Sequence, residues 1–156
     1  MKKTLSLILA ALLLLGVLAG CGTQEEKDVD LSAFYQQATE KYSLDAMMAL
    51  EGDFLESAYP GLSQIPTVQF IAQTAMISAV VCEIVLLQCE TPEDAAQAAQ
   101  ILETRVSTQA EGGAWYPASM AAWEEAEVIT HGSYVALIAS DQNQDALEAD
   151  FDALFA

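Results

Sequence analysis

Positive charge is what this chain has least of. Its 156 residues carry five Lys and Arg against 23 Asp and Glu, a formal net charge of −18. A charge of that size repels phosphate backbones and anionic lipid surfaces, and no basic stripe overrides it, so nucleic acid is not expected as a partner. Histidine is scarcer still, occurring once, at His131. That residue falls where a hairpin is expected to turn, a place histidine tolerates well, and without a second histidine no Ser-His-Asp or Cys-His arrangement can be assembled elsewhere. The three cysteines, Cys21, Cys82 and Cys89, form no Cys-x-x-Cys or Cys/His cluster, which removes the basis for a zinc or redox centre. Cys82 and Cys89 fall on one apolar run, ~23 Å apart if extended, against the ~6 Å Cα separation a disulfide needs. They are expected as free, packed thiols. No catalytic constellation emerges, so an enzyme is not expected, and neither is a cofactor.

The one long hydrophobic run lies at the start. Lys2 and Lys3 precede an apolar stretch from Leu5 to Val17, and Leu18-Ala19-Gly20-Cys21 follows. This is the order of a signal peptide: charged n-region, apolar h-region, small-residue cleavage site. At about 15 residues the stretch is shorter than the ~20 a bilayer-spanning helix requires. Leu18-Ala19-Gly20-Cys21 resembles the lipobox of bacterial lipoproteins, in which the cysteine thiol receives a diacylglyceryl group before the signal is removed. The alternative is an ordinary secretory signal with a chance cysteine after it. The resemblance implies residues 1–20 as lipoprotein signal peptide, 21–29 as lipidated Cys21 and tether, and 30–156 as one extracytoplasmic domain. It implies a membrane partner through acyl chains, including palmitate, on Cys21, whose methylenes at ~0.8 kcal/mol each hold stably. Gly22 stands where an Asp would mark inner-membrane retention in Gram-negative lipoproteins.

Cleavage would remove two cations and no acid. Lys27, Lys41 and Arg105 would then face all 23 carboxylates, leaving −20. Cations, cationic peptides or a basic protein face suit that charge, beside its plain role in solubility. The remaining length suits one domain with one core and is short for a two-lobed solute receptor.

Helical spacing of Leu31, Phe34, Ala38 and Tyr42, a second patch at Met47, Met48 and Leu50, and a short capped segment from Asp53 to Glu56 predict an N-terminal part that is helical throughout. Alternation predicts a half-buried strand over Thr67 to Thr74, and the apolar run Val80 to Cys89 a central strand. Thr91-Pro92-Glu93-Asp94 predicts a helix start, a cap hydroxyl with proline at the first position and carboxylates at the dipole, with Glu111-Gly112-Gly113 ending that helix. Val128 to Thr130 and Tyr134 to Ser140 flank His131-Gly132, a two-residue hairpin signal. Leu147, Phe151, Leu154 and Phe155 predict a final amphipathic helix capped by Asn143. The fold class expected is α+β: a four-stranded antiparallel sheet with helices packed on one face, preceded by N-terminal helices.

Leu18-Ala19-Gly20-Cys21, Phe54-Leu55 before Tyr59, Cys82-Glu83-Ile84-Val85, Arg105, Tyr116-Pro117 and Gly132-Ser133-Tyr134-Val135 together resemble an uncharacterised lipoprotein family of Gram-positive gut and soil bacteria, known only as a domain of unknown function. The resemblance implies a place on the outer face of the cytoplasmic membrane and a small α+β domain. It implies no activity.

Three groups of residues are candidates for a site. Glu83 is the one charge in the long apolar strand and Arg105 the only arginine of the mature chain, so a structural ion pair across helix and sheet is expected, with Glu83 facing solvent as the alternative. Trp115, Tyr116 and Trp123 cluster near a glycine-rich bend and suit a binding surface, or packing of that loop. Asp141, Asn143, Asp145 and Asp152 match the one, three, five and twelve spacing of a calcium loop, but Ala146 replaces the required glycine and Asp152 the bidentate glutamate, so no metal is expected there. Glu124, Glu125 and Glu127 read as a solvated face rather than a carboxylate pair. The expectation is a non-catalytic envelope module that binds a protein or peptide; the alternative is a receptor for a ligand or cation.

Overall fold

A computed structural model describes residues 27–44 and 46–156; the expected signal peptide and Cys21 lie outside the described residues. The described residues form five α-helices and five strands: α1 (Leu31–Tyr42), β1 (Met47–Ala49), α2 (Gly52–Ala58), β2 (Thr67–Ala75), β3 (Cys82–Cys89), α3 (Pro92–Thr108), α4 (Pro117–Glu124), β4 (Glu127–His131), β5 (Tyr134–Ser140) and α5 (Gln144–Asp152). The strands form one sheet in the order β1-β2-β3-β5-β4, antiparallel at every pairing.

Local chemistry sets the helix starts. Asp30 caps α1 by accepting from the Ala33 N–H at 3.0 Å. Thr91 caps α3 by accepting from the Asp94 N–H at 3.1 Å, with Pro92 supplying a helical φ where no N–H is needed. A π-helical turn, Gln109–Gly113, ends α3, and Gly112 takes a φ of 123° that a side chain would resist.

The sheet has five strands rather than four. Met47–Ala49, expected as helix, instead pairs with Ala75–Gln73 at the edge of β2. Apolar spacing over three or four residues fits either structure, and Ala46 at φ 59° breaks the helical path just before it. The helices also lie on both faces rather than one. Every residue of β5 is buried, as is β3 apart from Gln88, so each face needs a cover. Val85, Leu87 and Cys89 pack with Leu55 of α2, Ala95, Ala98 and Leu102 of α3 and Trp123 of α4. Cys82, Ile84 and Leu86 pack with Leu31, Phe34 and Ala38 of α1 and with Leu147 and Phe151 of α5. Cys82 and Cys89 are free and buried.

Two turns differ in detail. The β4–β5 loop is Gly132-Ser133, with His131 still paired to Tyr134, because Gly132 at φ 60° occupies the first loop position, as in a type II′ turn. Asn143 occupies the cap position of α5 without a side-chain cap bond. Ser140 Oγ instead orders the turn leading into α5, accepting from the N–H groups of Gln142 and Asn143 at 3.4 and 3.3 Å.

Candidate binding cleft

Glu83 enters β3 on the face covered by α2, α3 and α4, opposite Thr74 in the β2 register. Only 5% of its side chain is exposed, and an isolated carboxylate so placed costs several kcal/mol. Four donors meet it. Arg105 Nε donates to Oε1 at 2.9 Å and Nη2 to Oε2 at 3.1 Å. The Tyr59 hydroxyl donates to Oε1 at 2.5 Å and Thr74 Oγ1 to Oε2 at 3.0 Å. The pair is bidentate, the geometry in which arginine holds a carboxylate most firmly. Its guanidinium carbon also lies 5.6 Å from the Tyr59 ring centroid and 5.3 Å from that of Trp123, within cation–π range.

These contacts shift the titration of Tyr59, Arg105 and Cys82. Burial, reinforced by the adjacent Glu83 charge, raises the Tyr59 pKa well above its ordinary value of 10.0. Burial works against the Arg105 charge, but hydrogen bonding and attraction to Glu83 outweigh it and the net shift is upward. Burial, with the Asp141 and Glu83 charges behind it, pushes the neighbouring Cys82 thiol up to about 11. Four donors engage the two carboxylate oxygens of Glu83, tying β3 to β2, α3 and the end of α2.

The network forms the floor of a cleft of about 640 Å³ at one end of the sheet, between the β2–β3 connection and the turn after α3. Glu83, Arg105, Trp115, Tyr116 and Trp123 all line it. The three aromatics do not share one surface: Trp123 is buried against Arg105, whereas Trp115 is 92% exposed at the rim beside Tyr116. Met76 and Val80 of the β2–β3 connection complete the rim, and Met76 is 64% exposed. Glu83 is the single acidic side chain in the lining, so a chain of −18 presents a cleft whose only charges cancel.

Tyr59 and Thr74 were not anticipated. Thr74 could be found only from strand register. Tyr59 had one signal, a large aromatic just before Pro60-Gly61, where α2 must turn back toward the sheet. The acidic segment does not converge. Asp141 accepts from the Val81 N–H at 3.3 Å, Asp145 sits in the first turn of α5, and Asp152 at its end pairs with His131 Nε2 at 2.7 Å. Among the described residues no three His, Cys, Asp or Glu side chains are grouped to hold a metal ion. His131 stacks on Phe155 with ring centroids 4.3 Å apart. Glu124, Glu125 and Glu127 are exposed.

The family described as Domain of unknown function (DUF4358) matches residues 40–140. The chain belongs to that family. The DUF4358 match runs from the end of α1 to the end of β5, so it contains the whole sheet, Tyr59, Glu83, Arg105 and every residue of the cleft. Helix α5 and most of α1, which cover the opposite face, lie outside it. No curated protein and no solved structure matches the chain.

Proposed function

We propose that this DUF4358 protein is a membrane-anchored extracytoplasmic lipoprotein, held by lipid on Cys21, that binds a protein or peptide of the cell envelope without catalysing a reaction. The observation that carries the reading is the cleft rim, where Trp115, Tyr116, Met76 and Val80 stand exposed around a floor whose charges are already paired. Aromatic and methionine side chains are the residues most enriched where proteins recognise one another. Paired floor charges suit holding a surface in place better than proton transfer.

The position of the chain's entry supports the same reading. The Val29 N–H donates to the Tyr134 hydroxyl at 3.1 Å and Leu31 N–H to Gln69 Oε1 at 3.0 Å, and both partners stand at the Gln88 end of β3. Glu83 and the cleft stand at the other end, roughly 17 Å along the strand. A lipid on Cys21 would join the domain at the end of the sheet opposite the rim, which leaves the rim available to a partner.

The test places a photo-crosslinking phenylalanine analogue at position 115 of the full chain in intact membranes. A reproducible crosslinked species that disappears when the analogue is moved to Gln36, an exposed position on α1, is expected. Equal, diffuse labelling from both positions would overturn the reading. The anchor is tested separately: Cys21→Ser should abolish incorporation of labelled fatty acid, and persistent label would refute lipidation. A small-ligand receptor is the second reading, because 640 Å³ lies within the size range of small-molecule sites. A ligand that raises the thermal midpoint of the wild type but not of Trp115→Ala would favour it.

A further inference from the structure

The second unfilled feature of the fold is the outer edge of β2. This strand is nine residues long, but β1 covers only Gln73–Ala75 and Leu50 adds one bond, its N–H donating to the Ala72 carbonyl at 2.9 Å. Among the described residues no strand covers this outer side of Val68–Ile71, whose inner side pairs with β3. Because Ala72 turns its carbonyl toward the β1 side, the two-residue period of the strand turns the Phe70 N–H and C=O to that same open edge. Natural proteins protect such edges with lysine, inward charges or proline. Here the nine residues Thr67–Ala75 include no charged side chain and no proline, in a chain with 23 acidic residues. Val68 is 65% exposed, Phe54 of α2 is 70% exposed, and Phe70 lines a hollow of about 340 Å³ with Leu50, Leu55 and Ala72.

The surroundings identify what fits. Glu51 is exposed and lines the hollow itself, and Asp53 and Glu56 are exposed on the α2 segment that follows it. Asp28 and Asp30, exposed just before α1, alternate with Val29 and Leu31, whose backbone is tied to the Gln69 side chain of β2. The three cations of the described residues are engaged elsewhere: Lys27 with the Ala156 carbonyl, Lys41 with Asp150 and Arg105 with Glu83. A second copy of this chain would bring the same unneutralised carboxylates against themselves. We propose that the β2 edge docks an extended, basic segment of a partner protein as an added strand, main-chain groups pairing at Phe70, an apolar side chain entering the hollow and lysines or arginines meeting the acidic flanks. Strand addition of this kind draws affinity from main-chain hydrogen bonds and selectivity from alternate side chains. The proposal is independent of the cleft, at a different edge of the molecule.

The test uses the full chain in a non-ionic detergent and a fluorescent hexapeptide alternating lysine and valine, followed by anisotropy. Saturable binding is expected, weakened at least tenfold when alternate amides of the peptide are N-methylated, and again when glutamate replaces lysine. Phe70→Pro removes an N–H that faces outward, so the β2–β3 ladder keeps its bonds, and it should weaken binding by a similar factor, whereas Trp115→Ala should not. Absence of saturable binding to the unmodified chain would overturn the proposal. So would an N-methylated peptide that binds as tightly as its parent, since attraction would then be charge alone; that comparison needs no variant and stands whether or not Phe70→Pro folds.

Discussion

Replacing Arg105 by alanine strips Glu83 of two of its four donors and of the only positive charge beside it. Breaking a buried ion pair by removing one partner costs about 3–5 kcal/mol. Tyr59 and Thr74 still donate here, so the lower end applies and the expected loss is about 3 kcal/mol. Glu83→Gln keeps the shape and neutralises the charge. Arg105, whose side chain is 21% exposed, regains part of its hydration, and the expected loss is about 2 kcal/mol. Adding Glu83→Gln to Arg105→Ala removes the stranded charge and should recover much of the loss. The double variant should therefore lose less than Arg105→Ala alone, under about 3 kcal/mol where simple addition would give about 5, a coupling of more than about 2 kcal/mol. Arg105→Met, which keeps the stem packed between Tyr59 and Trp123, separates lost charge from lost packing. Urea melts of the four proteins at pH 7, fitted for midpoint and slope, measure the cycle. Single losses that add to within about 0.5 kcal/mol would refute the interaction on which the account of the cleft floor rests.

Stability should fall as pH rises above 9, because burial raises Cys82 and Cys89 from 9.0 to about 11 and holds Tyr59 well above 10.0. The folded state then keeps protons that the unfolded chain releases. A urea midpoint that stays level or rises between pH 8 and 10.5 would contradict those shifts, and Tyr59→Phe should remove the part of the loss that sets in near pH 10. Trp115→Ala should change stability by less than about 0.5 kcal/mol, as expected for an exposed side chain, while abolishing the crosslink partner's retention in pull-downs; a large shift in melting would mean that Trp115 is part of the core. Phe151→Ala should cost about 3–5 kcal/mol in urea melts, since that ring is fully buried and meets Phe34 at 5.6 Å and Phe155 at 5.3 Å.

The α3 helix was legible because everything that starts it is local. Thr91, Pro92, Glu93 and Asp94 act on N–H groups within one turn, and the spacing of Ala95, Ala98 and Leu102 marks the buried face. Strands β2, β3 and β5 were legible for a similar reason, their alternation or unbroken apolar runs being properties of neighbouring residues. The division of helices between the two faces was already implied by the double-sided burial of β3 and β5. Putting both long helices on one face left Ile84, Leu86 and Ile138 without a cover. Strand β1 was not legible, because three residues have no period of their own and its existence depends on the edge that β2 offers.

From sequence alone, residue chemistry decided what had to be solved: a carboxylate in an apolar strand must either reach solvent or find a partner, and one arginine was the best able to supply it. Tertiary structure decided how. The register that puts Thr74 opposite Glu83, the chain reversal that brings Tyr59 beneath it, the gathering of Trp115 and Met76 at one rim and the uncovered edge at Phe70 all join residues far apart in the chain. Such contacts come from packing and strand pairing, which no local propensity encodes.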